Sequence, residues 1–67
     1  MEAYNIEIGE LIATTNGFLG YVIECVPESG VFHVEWAVDN LKRDWYYDNM
    51  ILLFRENLHH HYGQFGR

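Results

Sequence analysis

The chain has 67 residues, of which 49% are hydrophobic and 21% charged, and its 10 Asp and Glu against 4 Lys and Arg give a formal net charge of -6. This length excludes two domains and allows one small core. A chain of this size buries only about 60% of the surface that its unfolded form exposes. The composition is too apolar for a disordered tail. The single cysteine excludes an intrachain disulfide. The scarcity of Lys and Arg argues against general binding of nucleic acid, because proteins bind its phosphates with clustered Lys and Arg side chains.

The first ten residues, MEAYNIEIGE, lack the basic segment followed by an apolar run that a secretory signal needs. The longest apolar run, MILLF at residues 50–54, is far shorter than the roughly 20 residues that span a bilayer. We therefore expect a cytosolic protein with no membrane partner.

Turn signals divide the first half of the chain into three predicted strands. Residues 10–15, ELIATT, form the first strand, and Asn16-Gly17 ends it with a dipeptide that accepts positive φ at both central positions of a hairpin turn. Residues 18–26, FLGYVIECV, form the second strand, and PESG at 27–30 closes the next hairpin on its glycine. Such short, even spacing is typical of an all-β meander.

The third predicted strand, residues 31–38, alternates most clearly. Phe32, Val34 and Trp36 share one face, and His33 and Glu35 lie on the other. This pattern predicts one buried face and one solvated face. The predicted core residues are Trp36, Phe32, Val34, Val22 and Leu11.

Two further turn signals shape the second half. Asp39-Asn40 leads into KRDWYY at 42–47, and Asp48-Asn49 marks a corner, read as a short helical turn before a fifth strand at 51–54, ILLF.

The same segment also fits a helix. Ile51, Phe54, Leu58 and His61 or Tyr62 fall near helical spacing, and Asp48 is a suitable N-cap for a helix running to about residue 61. Periodicity alone does not separate these readings.

The order of short motifs resembles the SH3-like small barrels of the Tudor and KOW type, and is most similar to small barrel proteins of tailed bacteriophages. The resemblance covers about residues 9–54. It rests on four short motifs. The opening matches at Gly9, Glu10 and Leu11, the second strand at Gly20 and Val22, and the third strand at Val34 and Trp36. The corner matches at Trp45, Tyr46 and Met50 or Ile51. The first hairpin is tighter than the loop that usually helps to form the binding groove of such barrels.

The resemblance implies an all-β fold, a small five-stranded antiparallel SH3-like barrel with a short helical turn before the last strand. We predict an N-terminal arm at 1–8, the barrel at 9–55 and a partly ordered C-terminal tail at 56–67. It also implies a viral accessory protein, located in the host cytoplasm or in a virion.

Tudor barrels bind methylated ligands in aromatic cages, and the resemblance raises the same possibility here. The candidate partner-binding residues are Tyr21, Asp44, Trp45, Tyr46 and Tyr47. Rings that converge around an acid favour a cation, whereas rings in a small barrel are commonly packing. Exposed tyrosine and tryptophan also serve general protein contacts, and this is the interpretation that we favour.

A fifth strand of the composition ILLF has no polar face, so one of its sides must be covered. The tail from residue 56 onward offers few apolar side chains and two glycines, which raise its ordering cost. We therefore predict self-association through Leu52 or Phe54, as a symmetric homodimer.

No catalytic or metal site is expected. Consecutive histidines at 59–61 point in different directions and have no further ligand at chelating spacing. His33 lies on the solvated face of its strand, Cys25 lies in an apolar strand that disfavours a thiolate, and Ser29 sits in a turn with no paired base. The chain is predicted to be a non-enzyme without a cofactor.

The sequence thus favours a non-catalytic protein-interaction module that binds a host or viral protein. Two alternatives remain open at this stage: an acidic inhibitor that imitates nucleic acid and occupies a host enzyme's basic groove, and a structural or assembly component of a virion.

Overall fold

The computed structural model describes residues 5–38 and 40–65, with side chains up to residue 60. Four strands precede one helix: β1 (Leu11–Ala13), β2 (Leu19–Val26), β3 (Val31–Trp36), β4 (Arg43–Tyr47) and α1 (Met50–Phe65). The strands pair antiparallel in the order β1-β2-β3-β4. The predicted meander is confirmed for these four strands, and the sheet is not closed.

The first two hairpins form where turn signals were found, with one difference in the first. The amide of Gly17 donates to the carbonyl oxygen of Thr14 at 3.0 Å, and the hydroxyl of Thr14 accepts from the amide of Phe18 at 3.0 Å. Gly17 has φ 92° but Asn16 does not lie at positive φ, so the prediction of positive φ at both positions is wrong. A turn that begins at Thr14 needs the left-handed conformation only at Gly17.

The second hairpin turn spans residues 27–30 as predicted. The amide of Gly30 donates to the carbonyl oxygen of Pro27 at 3.1 Å, with φ of Gly30 at 66°. Of the next predicted turn, Asp39 lies outside the described residues, and Asn40 lies in the loop that leads to β4.

The alternation predicted for the third strand is confirmed: Phe32, Val34 and Trp36 are buried, and Val22 of β2 joins them. Leu11 is the error in the predicted core, since it is half exposed while Ile12 and Ala13 are fully buried. The strand period allowed either Leu11 or Ile12 to face inward, and the pairing of Ile12 with Gly20 assigns Ile12 to the core face.

The predicted fifth strand is wrong. Residues 51–54 begin α1, and α1 continues through residues 56–65, which the sequence assigned to a partly ordered tail. Ile51 and Phe54 are buried, whereas Leu52 and Leu53 between them are about half exposed. A strand would bury every second residue, so this spacing is helical, as the alternative reading of the segment required. The fold is therefore a mostly β domain with one helix.

Helix α1 seals the core face of the sheet with one aromatic residue. The ring of Phe54 meets the rings of Trp36, Tyr46 and Phe32 edge to face, at centroid distances of 5.2, 5.0 and 6.3 Å. The indole nitrogen of Trp36 donates to the hydroxyl of Tyr46 at 2.9 Å. Edge-to-face pairs add about 0.5–1.5 kcal/mol each beyond the area that they bury, so this cluster holds helix and sheet together.

A second connection fixes α1 to the start of the chain. The guanidinium of Arg55 donates to both carboxylate oxygens of Glu10, through Nε and through Nη2 at 3.0 Å, and Nη2 also donates to the carbonyl oxygen of Asn5 at 2.7 Å. Hydrogen bonding to Glu10 raises the pKa of Arg55 above its ordinary value, with a smaller coulombic contribution from Glu10 and Glu7 and an opposing one from burial. Arg55 therefore stays charged at every physiological pH.

The N-terminal segment contributes to the core as well. Ile6, in the predicted arm, is buried, and its carbonyl oxygen accepts from the thiol of Cys25 at 3.5 Å. The predicted boundary between residues 55 and 56 lies inside α1.

Glycine is needed at position 20 because the ring of Trp36 leaves no room for a side chain, and not because of an unusual backbone conformation. A Cβ at this position would overlap the six-membered ring of Trp36. It would lie 2.9 Å from Cζ3 and closer still to Cε3, and both separations are too short for non-bonded carbon atoms. The two residues are direct cross-strand partners, so any side chain here displaces the central indole.

We predict that Gly20→Ala lowers the free energy of unfolding by about 1–3 kcal/mol, because overpacking forces the indole out of its position. Chemical denaturation measures the change. In a Trp36→Phe background, where the smaller ring leaves room, the same substitution should cost less. An equal cost in both backgrounds would show that the ring of Trp36 is not the cause.

We predict that Arg55→Met destabilises the protein by about 1–3 kcal/mol, since a bidentate, charge-assisted contact is lost. A double-mutant cycle with Glu10→Gln should give a coupling of about 1 kcal/mol or more. The matched control is the exposed pair Lys42–Asp44, at 3.5 Å, for which a coupling of about 0–0.5 kcal/mol is expected. Equal couplings for the two pairs would contradict a structural role for Arg55.

Candidate functional site

The face of the sheet opposite α1, called here the outer face, carries exposed aromatic side chains. Trp45 and Tyr47 of β4 are 50% and 71% exposed, and Tyr21 of β2 is 43% exposed. Leu11 lies beside Tyr21 as its cross-strand partner and is also exposed. Because alternate residues of a strand point to opposite faces, these side chains occupy the surface that the helix leaves open.

Trp45 is held in place by its cross-strand partner. His33 pairs with Trp45 between β3 and β4, and the two rings stack at 4.2 Å with an interplanar angle of 7°. His33 in turn lies beside Glu24, with Nδ1 at 3.7 Å from a carboxylate oxygen. The alternation of β3 predicts a solvated His33, but its side chain is only 19% exposed, because the register of the two strands places it under Trp45.

A polar row crosses the same face. The hydroxyl of Tyr21 donates to the carboxylate of Glu35 at 3.2 Å, and Arg43 lies 3.9 Å from the other oxygen of that carboxylate. These contacts connect β2, β3 and β4 and restrict the ring of Tyr21. The outer face is therefore an aromatic surface with paired charges.

The five predicted partner-binding residues do not share one surface. Tyr21, Trp45 and Tyr47 lie on the outer face, whereas Asp44 and Tyr46 lie on the core face, where Tyr46 packs against Trp36 and Phe54. A cage of all five is not assembled, because Asp44 and Tyr46 alternate with Trp45 and Tyr47 along one strand.

The two residues predicted to mediate self-association also separate. Phe54 is 5% exposed and belongs to the aromatic cluster of the core, while Leu52 is 49% exposed, beside Leu53. A contact between copies on this side of the protein therefore depends on Leu52 and Leu53.

A groove that the sequence did not indicate lies at one end of the sheet. It measures about 220 Å³ and is lined by Thr14, Phe18, Trp36, Val38, Lys42, Asp44 and Tyr46. A shallower, more open extension of about 480 Å³ continues over Phe18, Ala37, Val38, Asn40 and Lys42. The first hairpin turn and the loop before β4 meet here, and no local signal in the sequence predicts that these two segments are adjacent.

The loop beside this groove has an unusual backbone. Leu41 has φ 49°, in the left-handed region that disfavours residues with a Cβ, and its side chain is 57% exposed. Its amide donates to the carbonyl oxygen of Val38 at 2.8 Å, which holds the loop closed. An exposed apolar side chain is thus presented at a conformational cost.

No group of three or more His, Cys, Asp or Glu side chains within the described residues is arranged to hold a metal ion. His59 and His60 are exposed on α1, and His60 lies 3.7 Å from Glu56 one helical turn earlier. In the described part of the chain, no helix combines the length and the apolar character needed to cross a membrane.

Comparison of the chain with protein-family models, with curated proteins and with solved structures found no match.

We predict that Leu41→Gly is more stable than Leu41→Ala by about 1 kcal/mol, because only glycine removes the cost of the left-handed backbone. Both variants delete the same exposed side chain, so Leu41→Ala is the matched control. Thermal or urea denaturation measures the difference. Equal stabilities would show that the loop relaxes and that the backbone of Leu41 is not strained.

Proposed function

We propose that the protein is a non-catalytic interaction module that binds another protein through the outer face. The observation that carries the proposal is the ordered exposure of Trp45, which is half exposed yet stacked flat on His33 at 4.2 Å. Tryptophan and tyrosine are the residue types that most often dominate binding energy at protein interfaces.

Preorganisation supports this role. A ring that is already fixed by its neighbours loses little conformational freedom when a partner covers it, which leaves more of the contact energy for affinity. Trp45 is fixed by stacking, and Tyr21 is fixed by its hydrogen bond to Glu35. Tyr47 is the most exposed of the three and has no such support among the described residues.

The charge distribution favours this function over imitation of nucleic acid. An imitation of a phosphate backbone needs a row of unpaired acids, but Glu10, Glu35 and Asp44 each lie within 4 Å of an Arg or Lys. These pairs leave the net charge of -6 unchanged, but they place a positive charge beside three of the carboxylates. The net charge still favours encounters with basic proteins over acidic ones.

A relation to SH3-like barrels is part of the same proposal. The four-stranded antiparallel meander in sequence order supports it, as does the contact of α1 with both edge strands. The bacteriophage origin implied by the resemblance belongs to this proposal too.

The test is affinity capture from a lysate of the native host with immobilised wild-type protein and variants. Trp45→Ala should lower the recovery of a specific partner by roughly tenfold or more, as expected for a central interface residue. Leu53→Ala is the matched control, because Leu53 is 46% exposed but lies on α1, and its partner recovery should equal that of wild type.

Salt separates the alternatives. Binding through an aromatic surface should persist at high ionic strength, whereas binding of an acidic surface to a basic groove should fall steeply. A partner that is lost in high salt and retained by Trp45→Ala would overturn the proposal in favour of the acidic inhibitor.

A further inference from the structure

The two edges of the sheet differ in how far α1 covers them. At the β1 edge, the side-chain amide of Asn57 on α1 donates to the carbonyl oxygen of Ala13 at 3.3 Å, and the helix packs along the strand. At the β4 edge, no comparable cover exists within the described residues. An uncovered edge presents unpaired backbone donors and acceptors, which are a template for another strand.

The hydrogen-bond pattern identifies the free groups of β4. The amide of Trp36 donates to the carbonyl oxygen of Lys42 at 2.7 Å, and the amide of Asp48 donates to the carbonyl oxygen of Gly30 at 2.8 Å. In an antiparallel ladder, bonded positions alternate, so the even-numbered residues from 42 to 48 bond to β3. The backbone groups of Arg43, Trp45 and Tyr47 therefore point away from the sheet.

We propose that this edge pairs with the same edge of a second copy, antiparallel and with Trp45 opposite Trp45 on a two-fold axis. The two four-stranded sheets then form one continuous sheet. The reason for choosing a second copy is the charge pattern of residues 42–48, KRDWYYD, which is basic at its start and acidic at its end. Antiparallel pairing of such a segment with itself sets the basic end of each copy against the acidic end of the other.

Charge also selects the register. With Trp45 on the axis, Lys42 faces Asp48 of the second copy, twice by symmetry. Centring the pairing on Asp44 would set two Asp44 carboxylates against each other, and centring it on Tyr46 would set Asp44 against Asp48. Like charges directly opposite are destabilising in antiparallel pairs, and a shift by one residue would turn the core face of one copy outward.

The paired strands would make a larger aromatic surface. In the Trp45-centred register, both tryptophans lie side by side on the outer face, and Arg43 lies opposite Tyr47 of the second copy, a geometry that allows a cation–π contact. Such an interface is isologous and closes at two copies. It needs no other protein, so it is independent of the proposed partner binding.

The sharpest test is a charge exchange. Lys42→Asp and Asp48→Lys each place like charges opposite one another in the homodimer, and each should weaken self-association by roughly tenfold or more. Mixing the two variants in equal amounts restores both opposite-charge pairs in a heterodimer. Analytical ultracentrifugation should give about twice 7.9 kDa for wild type and for the mixture, and a lower average mass for each variant alone.

Hydrogen exchange locates the interface directly. In the dimer, the amides of Arg43, Trp45 and Tyr47 are bonded across the axis, so their exchange should slow as protein concentration rises from micromolar to millimolar. This readout does not depend on the variants, should Asp48→Lys fail to fold. Exchange at these amides that is fast and independent of concentration would overturn the proposal.

Leu52→Glu serves as the control, since Leu52 is an exposed apolar residue on α1 and not on β4. It should leave the mass of the dimer unchanged. A wild-type mass of 7.9 kDa throughout the concentration range, or a dimer that Leu52→Glu dissociates, would overturn pairing through β4.

Discussion

The structure depends on the contact between Phe54 and the core face of the sheet. A four-stranded sheet of this size cannot bury its own apolar face, and α1 covers it with a few side chains, of which Ile51 and Phe54 are the most buried. The edge-to-face contacts of Phe54 with Trp36 and Tyr46 fix the angle at which the helix lies. The absence of a side chain at Gly20 then leaves room for the indole of Trp36.

This arrangement determines which surfaces are free. One helix covers one face, so the outer face stays exposed and carries the aromatic residues that the core does not use. Its side chains are nevertheless ordered, because stacking of His33 on Trp45 and the contacts of Glu35 with Tyr21 and Arg43 restrict them. Helix packing also distinguishes the two edges, since α1 contacts β1 more extensively than β4.

The Arg55–Glu10 contact gives α1 a fixed position along the sheet as well as a fixed angle. It joins the helix to residues near the start of the chain, and Ile6 in the same segment packs into the core. In a small domain without a disulfide, connections between distant parts of the chain restrict the opening of the edges. Leu41, with its left-handed backbone, lies in the loop before β4, and the Arg55–Glu10 contact does not involve that loop.

The sequence by itself indicated the four strands, the positions of the first two hairpin turns and the alternation of β3, because local turn chemistry and a period of two specify them. It did not determine whether residues 51–54 form a strand or a helix, since the apolar run at 50–54 fits both periods. Only tertiary packing decided this, by burying Ile51 and Phe54 and leaving Leu52 and Leu53 exposed. The candidate site was equally beyond the sequence: stacking of His33 on Trp45, and the separation of Tyr46 from Tyr47, follow from strand register, which depends on contacts between residues far apart in the chain.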